Sequence, residues 1–146
     1  MNDRARDAWA RTTVHVWPGE YLFASVPPER MAEASALVAA APAGTFVALL
    51  RERDEIALTV PDAVRPHLDA LAARAEGPFR VLTFDVVLPL DLVGYLAPAA
   101  ARLAEAGVSI VPQCGFRTDH LLVRADDLEA ARGVLDAFVR ECAAAG

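Results

Sequence analysis

Cysteine and histidine are the residue types of this chain that could perform nucleophilic or metal chemistry. Cys114 and His120 flank a predicted turn between two strands, so their side chains could meet as nucleophile and base. The sequence provides no third orienting group and no oxyanion loop beside them. His15 and His67 are distant along the chain, and no group of residues has the spacing of a metal site. We therefore predict a protein without catalytic residues, metal or cofactor.

The composition argues against several further functions. The 146 residues carry a net charge of −6, and all 14 basic residues are arginine. The absence of lysine excludes Schiff-base and pyridoxal-phosphate enzymes and a phosphate-loop lysine. The acidic balance argues against nucleic-acid binding, which requires cations to displace counterions from phosphate. No apolar run is long enough to span a bilayer and the N-terminus lacks a secretory signal, so we expect a cytoplasmic location.

Strand and helix patterns alternate along the chain. Predicted strands cover residues 14–17, 21–26, 45–50, 55–60, 80–88, 108–111 and 119–124. Apolar residues at helical spacing begin at Met31, Val64, Leu92 and Leu128, and the second of these helices is expected to reach Ala75. The Gly77-Pro78 pair is the sharpest break in the pattern, so we place the boundary between two halves there.

The order strand–helix–strand–strand–helix therefore occurs twice. It predicts an α+β protein of two ferredoxin-like βαββαβ units in tandem, covering residues 1–78 and 79–146, with residues 1–12 flexible. The second half ends in a helix and lacks its last strand. The early run Val14 to Trp17 could fill a vacant edge and give a permuted or shared sheet, although the sequence does not determine which half it joins.

The segment before the helix at Leu92 has features of a ligand-binding loop. Asp91 is a favoured N-cap residue, and a helix N-terminus presents unpaired N–H groups that can hold a carboxylate. Asp91 could instead contact a ligand ammonium, although capping is the commoner role. Gly94 would let a ligand or strand approach closely. Pro98, inside the expected helix, predicts a kink or a late helical start.

Several segments in the correct order resemble the ACT domain. In the second half they are Leu92–Leu96, Leu103–Ile110 and Thr118–Ala131. In the first half, Trp17–Tyr21 and Asp54–Leu58 are similar to the companion unit of aspartate-kinase regulatory regions. The resemblance implies a regulatory protein without catalytic activity that binds a small molecule such as an amino acid. It also implies that the chain acts as a homo-oligomer or on a separate partner enzyme.

The resemblance further implies where the ligand would bind, between the loop before a helix and a neighbouring strand. The residues carried over to this chain are Pro89, Leu90, Asp91, Leu92, Gly94, Val111, Gln113 and Cys114. Where the family often has Ser-Thr-Tyr, this chain has Cys114-Gly115-Phe116, which removes two hydroxyl groups. Pro112 interrupts the strand and suits an edge or a bulge. The missing hydroxyl groups favour the alternative of a protein–protein interaction or dimerisation module that binds no ligand.

Overall fold

The computed structural model describes residues 1–145. The helices are α1 (Asp3–Ala10), α2 (Met31–Ala39), α3 (Arg65–Asp69), α4 (Leu96–Glu105) and α5 (Leu128–Ala144). The strands are β1 (Thr13–Val16), β2 (Tyr21–Val26), β3 (Ala48–Arg51), β4 (Ile56–Pro61), β5 (Arg74–Asp85), β6 (Ile110–Cys114) and β7 (Asp119–Arg124). The α+β fold predicted from the sequence is confirmed.

The chain divides into two compact units, one of which is built from both ends of the sequence. Trp17–Arg80 form the inserted unit, whereas Met1–Val16 and residues 81–145 form the split unit. This division differs from the expected one, which assigned the N-terminal residues to the first half. The Gly77-Pro78 pair, where we placed the boundary, is a cis peptide inside β5.

The inserted unit is a complete βαββαβ arrangement. Its strands lie in the order β3-β4-β2-β5, and each neighbouring pair is antiparallel. Alternate residues of β2 and β4 point to one face, where Leu22 and Leu58 join Leu37 of α2 and Leu68 of α3 in the core. The second helix is shorter than expected because residues 74 and 75 pair with β2 as part of β5.

The split unit has the same strand order once β1 is included. β6 pairs with β7, β7 lies beside β5, and β1 pairs antiparallel with β5 from Thr13↔Asp85 to Val16↔Leu82. β1 thus takes the place of the strand that the second half lacks, which resolves the question left open by the sequence. β6, which contains Pro112, is an edge strand as predicted.

The N-terminus forms a helix, in contrast to the flexible residues 1–12 that we predict from the sequence. Asn2 caps α1 by accepting a hydrogen bond from the backbone N–H of Ala5 at 2.8 Å. Trp9 is fully buried in the core of the split unit, where it contacts Phe84, Tyr95 and Phe138. Burial of this large side chain ties α1 to the unit that contains α4 and α5.

α4 begins at Leu96, whereas a helix capped by Asp91 would begin at Leu92. Pro98 is therefore the third residue of the helix, where its missing N–H breaks no intrahelical bond. A helix from Leu92 would have placed the proline ring against the carbonyl group of Gly94. The expectation of a late start is confirmed, and the prediction that Asp91 caps the helix is wrong.

Candidate functional site

An open groove of about 480 Å³ in the split unit is the candidate site. One wall is the α4 loop, which we define as residues 86–95, continued by the first turn of α4. The other wall is the β6–β7 turn, residues 115–118, with the strand residues on either side of it. The residues that line the groove are Leu88, Pro89, Leu90, Leu92, Gly94, Tyr95, Leu96, Ala97, Cys114, Gly115, Phe116, Arg117, Thr118 and Asp119.

The groove brings together five of the residues named from the sequence. They are Pro89, Leu90, Leu92, Gly94 and Cys114. Asp91, Val111 and Gln113 are outside its lining. The Asp91 carboxylate is exposed and lies 3.1 Å from the guanidinium of Arg4, so its partner is another part of the split unit.

Two backbone hydrogen bonds shape the α4 loop. The N–H of Leu88 donates to the carbonyl of Arg117 at 2.8 Å, which ties the two walls of the groove together. The N–H of Leu92 donates to the carbonyl of Pro89 at 2.9 Å and closes a tight turn. Gly94 has a φ of 81°, and a Cβ added there would meet no atom within 4 Å. This position therefore favours glycine because of its left-handed backbone conformation, and not because neighbouring atoms lie close to it.

α1 holds the far side of the α4 loop. The Asn2 side-chain amide donates to the carbonyl of Val93 at 2.9 Å. The indole N–H of Trp9 donates to the carbonyl of Tyr95 at 2.7 Å, and the two rings stack with centroids 4.5 Å apart. Thr12 and the Tyr95 hydroxyl share a 2.7 Å hydrogen bond. These contacts orient Tyr95, which lines the groove.

Cys114 and His120 do not form a nucleophile–base pair. Burial is the main reason that the pKa of the Cys114 thiol is raised, and the interaction with Asp119 raises it further. A protonated thiol is a poor nucleophile. His120 Nδ1 is instead 2.7 Å from the Thr83 hydroxyl, and burial lowers the pKa of the imidazole. These partners give the pair no arrangement suited to covalent catalysis.

The charged residues of the groove differ from those expected. Asp119 lies at the start of β7, and Arg117 is in the adjoining turn; both line the groove. Neither is among the site residues that the family resemblance implied. The family resemblance could have identified Arg117 and Asp119. It places the ligand between the α4 loop and β6, and these two residues follow β6 in the sequence.

Within residues 1–145, no group of three or more histidine, cysteine, aspartate or glutamate side chains could hold a metal ion. Over the same residues, none of the helices combines the length and apolar character needed to cross a membrane.

Residues 74–137 match the family model of the ACT domain. The matched part of the chain is therefore similar to an ACT domain. The matched segment, which we call the ACT segment, runs from the start of β5 into α5 and includes the whole lining of the groove. The resemblance drawn from the sequence is confirmed.

Solved structures with the same fold extend the likeness over nearly the whole chain. A Vibrio cholerae protein of unknown function is 23% identical, with a TM-score of 0.73 and coverage of 92% of this chain and 94% of that one. An Agrobacterium tumefaciens protein is 25% identical, with a TM-score of 0.68 and coverage of 88% and 90%. The regulatory subunit of Thermus thermophilus aspartate kinase is 14% identical, with a TM-score of 0.60 and coverage of 86% and 97%. A search of curated proteins found no match.

Proposed function

We propose that this chain is a regulatory module without catalytic activity that binds a small molecule, an amino acid, in the groove of the ACT segment. The observation that carries the proposal is that a cavity of about 480 Å³ lies wholly inside the matched residues. This volume is within the range of small-ligand sites. The regulatory subunits of aspartate kinase among the similar structures support a regulatory role.

The chemistry of the groove suits a ligand that carries a carboxylate. Residues 94–97 line it at the start of α4, and no side chain caps this helix. The N–H groups of a first turn have no partner within the helix and carry partial positive charge, so they can receive an anion. Asp119, on the other wall, offers a carboxylate to a ligand ammonium.

The absence of catalysis follows, in this proposal, from the partners of Cys114 and His120. Burial and the neighbouring Asp119 raise the pKa of the Cys114 thiol, and the His120 ring shares a hydrogen bond with the Thr83 hydroxyl. The module would then act through a change in its own association or through a separate partner enzyme. Such control requires the ligand to bind one arrangement more tightly than another.

A thermal-shift screen of the twenty amino acids tests the proposal. A ligand at about 100 times its Kd stabilises the folded chain by about 2.7 kcal/mol, so at least one amino acid should raise the melting temperature clearly. The matched pair Ala97→Phe and Ala101→Phe locates the site, because both alanines are exposed on α4 but only Ala97 lines the groove. We expect Ala97→Phe to abolish the shift and Ala101→Phe to retain it. No shift with any amino acid would refute the proposal.

Self-association without a ligand is a second candidate function. Four large apolar side chains in this region are exposed: Val87 by 57%, Leu90 by 79%, Val93 by 73% and Phe116 by 80%. Exposed apolar groups of this kind often mark an interaction surface. Light scattering that finds a stable dimer, together with no thermal shift from any amino acid, would favour this function over ligand binding.

A further inference from the structure

The apolar walls of the groove carry an inference about which ligand it takes. Leu88, Leu90 and Leu92 come from the α4 loop, and Phe116 comes from the β6–β7 turn. Leu90 and Phe116 are among the most exposed large apolar side chains of the split unit. A ligand that covered them with apolar atoms would remove this surface from water, whereas a charged side chain would gain nothing there.

Two opposite charges lie beside these apolar walls. Asp119 lines the groove, and its carboxylate can accept hydrogen bonds from a ligand donor. Arg117 lines the same groove, and its guanidinium forms no ion pair with any residue from 1 to 145. An exposed guanidinium can bind a carboxylate through two parallel hydrogen bonds. The groove thus presents an anion and a cation two positions apart in the sequence, Asp119 and Arg117.

We propose that the groove binds an α-amino acid with an apolar side chain, in the size range of leucine, methionine or phenylalanine. This inference rests on the proposed function. The ligand ammonium lies at Asp119, and the ligand carboxylate lies at Arg117 and the N–H groups that begin α4. The apolar side chain packs against Leu90 and Phe116. The replacement of hydroxyl groups by Cys114-Gly115-Phe116 then represents selection for an apolar ligand rather than loss of binding.

Isothermal titration of the full chain tests the ligand class. The probes are leucine, methionine and phenylalanine against aspartate, lysine and threonine. We expect the tightest apolar probe to bind at least about tenfold more tightly than any polar one. We also expect 4-methylpentanoate, which is leucine without its ammonium, and 3-methylbutylamine, which is leucine without its carboxylate, each to bind about tenfold more weakly than leucine.

Paired variants test the assigned contacts. Asp119→Asn should weaken leucine binding about tenfold and leave 4-methylpentanoate unchanged, whereas Asp91→Asn, a carboxylate of the α4 loop outside the groove, should change neither. Phe116→Ala removes an exposed ring, so the fold should survive while leucine binding weakens several-fold. This variant keeps the test valid if Asp119→Asn does not fold.

The possible results separate this inference from the proposed function. If aspartate, lysine or threonine bound most tightly and Ala97→Phe abolished that binding, the inference of an apolar ligand would be wrong. The proposed regulatory binding site would still be supported. An unchanged affinity for leucine in Phe116→Ala would also overturn the inference. No binding of any amino acid would refute both proposals.

Discussion

Replacing Trp9 tests whether the N-terminal helix is a structural part of the split unit. Its indole is fully buried, stacks on Tyr95 and packs edge-on against Phe84 with centroids 4.9 Å apart. Replacing a buried tryptophan with alanine removes the whole ring system and leaves a cavity, at a cost of about 3–5 kcal/mol. For a chain of this length, that loss lowers the melting temperature by about 10 °C or more.

Urea unfolding followed by circular dichroism measures the effect of Trp9→Ala, and two further variants divide it into parts. Trp9→Phe keeps most of the apolar volume but removes the N–H that bonds the Tyr95 carbonyl at 2.7 Å, at a cost of about 1–3 kcal/mol. Arg6→Ala is the control on the same helix, because its ion-pair partner Asp3 is 88% exposed and such a pair contributes less than about 1 kcal/mol. If Trp9→Ala were no less stable than Arg6→Ala, α1 would not be docked and the expectation of a flexible N-terminus would hold.

Three further predictions concern the groove and the sheet beneath it. Gly94→Ala should lower the free energy of unfolding in urea by about 1–2 kcal/mol, because a φ of 81° is strained for a residue with a side chain even where space is open. Equal stability of the two proteins would show that the backbone conformation does not require glycine. Asp91→Ala should cost less than about 1 kcal/mol, because it breaks only an exposed ion pair with Arg4; a larger loss of melting temperature would restore a capping role. Burial lowers the pKa of His120 from 6.5, so the unfolded chain binds more protons as pH falls. The free energy of unfolding should therefore decrease below about pH 6.5 and level off above it, and His120→Gln should flatten this dependence; identical slopes in the two proteins would contradict the assignment.

The strand pattern could be predicted from local sequence because alternation marks a half-buried strand directly. The predicted strands at 21–26 and 119–124 coincide with β2 and β7. The late start of α4 was also predictable, since the effect of Pro98 on the preceding backbone is local. The length of α3 was not, because the pairing of residues 74 and 75 with β2 overrides a run of alanine that suits a helix.

The residues of the groove were predictable only in part. The α4 loop adjoins a helix-and-strand signature that is visible in the sequence. Four residues named from that resemblance line the groove: Pro89, Leu90, Leu92 and Gly94. The choice between Asp91 and Asp119 could not be made, because both are plausible turn or cap residues. The structure decides between them because Asp91 forms an ion pair with Arg4, which is 87 positions away in the sequence, and lies outside the groove.

The position of β1 explains why the N-terminus bears on the candidate site. A βαββαβ unit needs a fourth strand beside its first, and in the split unit that place belongs to β1 rather than to anything after α5. α1 precedes β1 directly, so the strand pairing brings Asn2, Arg4 and Trp9 to the α4 loop and the start of α4. Residues that lie outside the ACT segment in sequence therefore hold one wall of the groove inside it. Tyr95 lines the groove and stacks on Trp9, so we expect a molecule bound in the groove to change the fluorescence of Trp9.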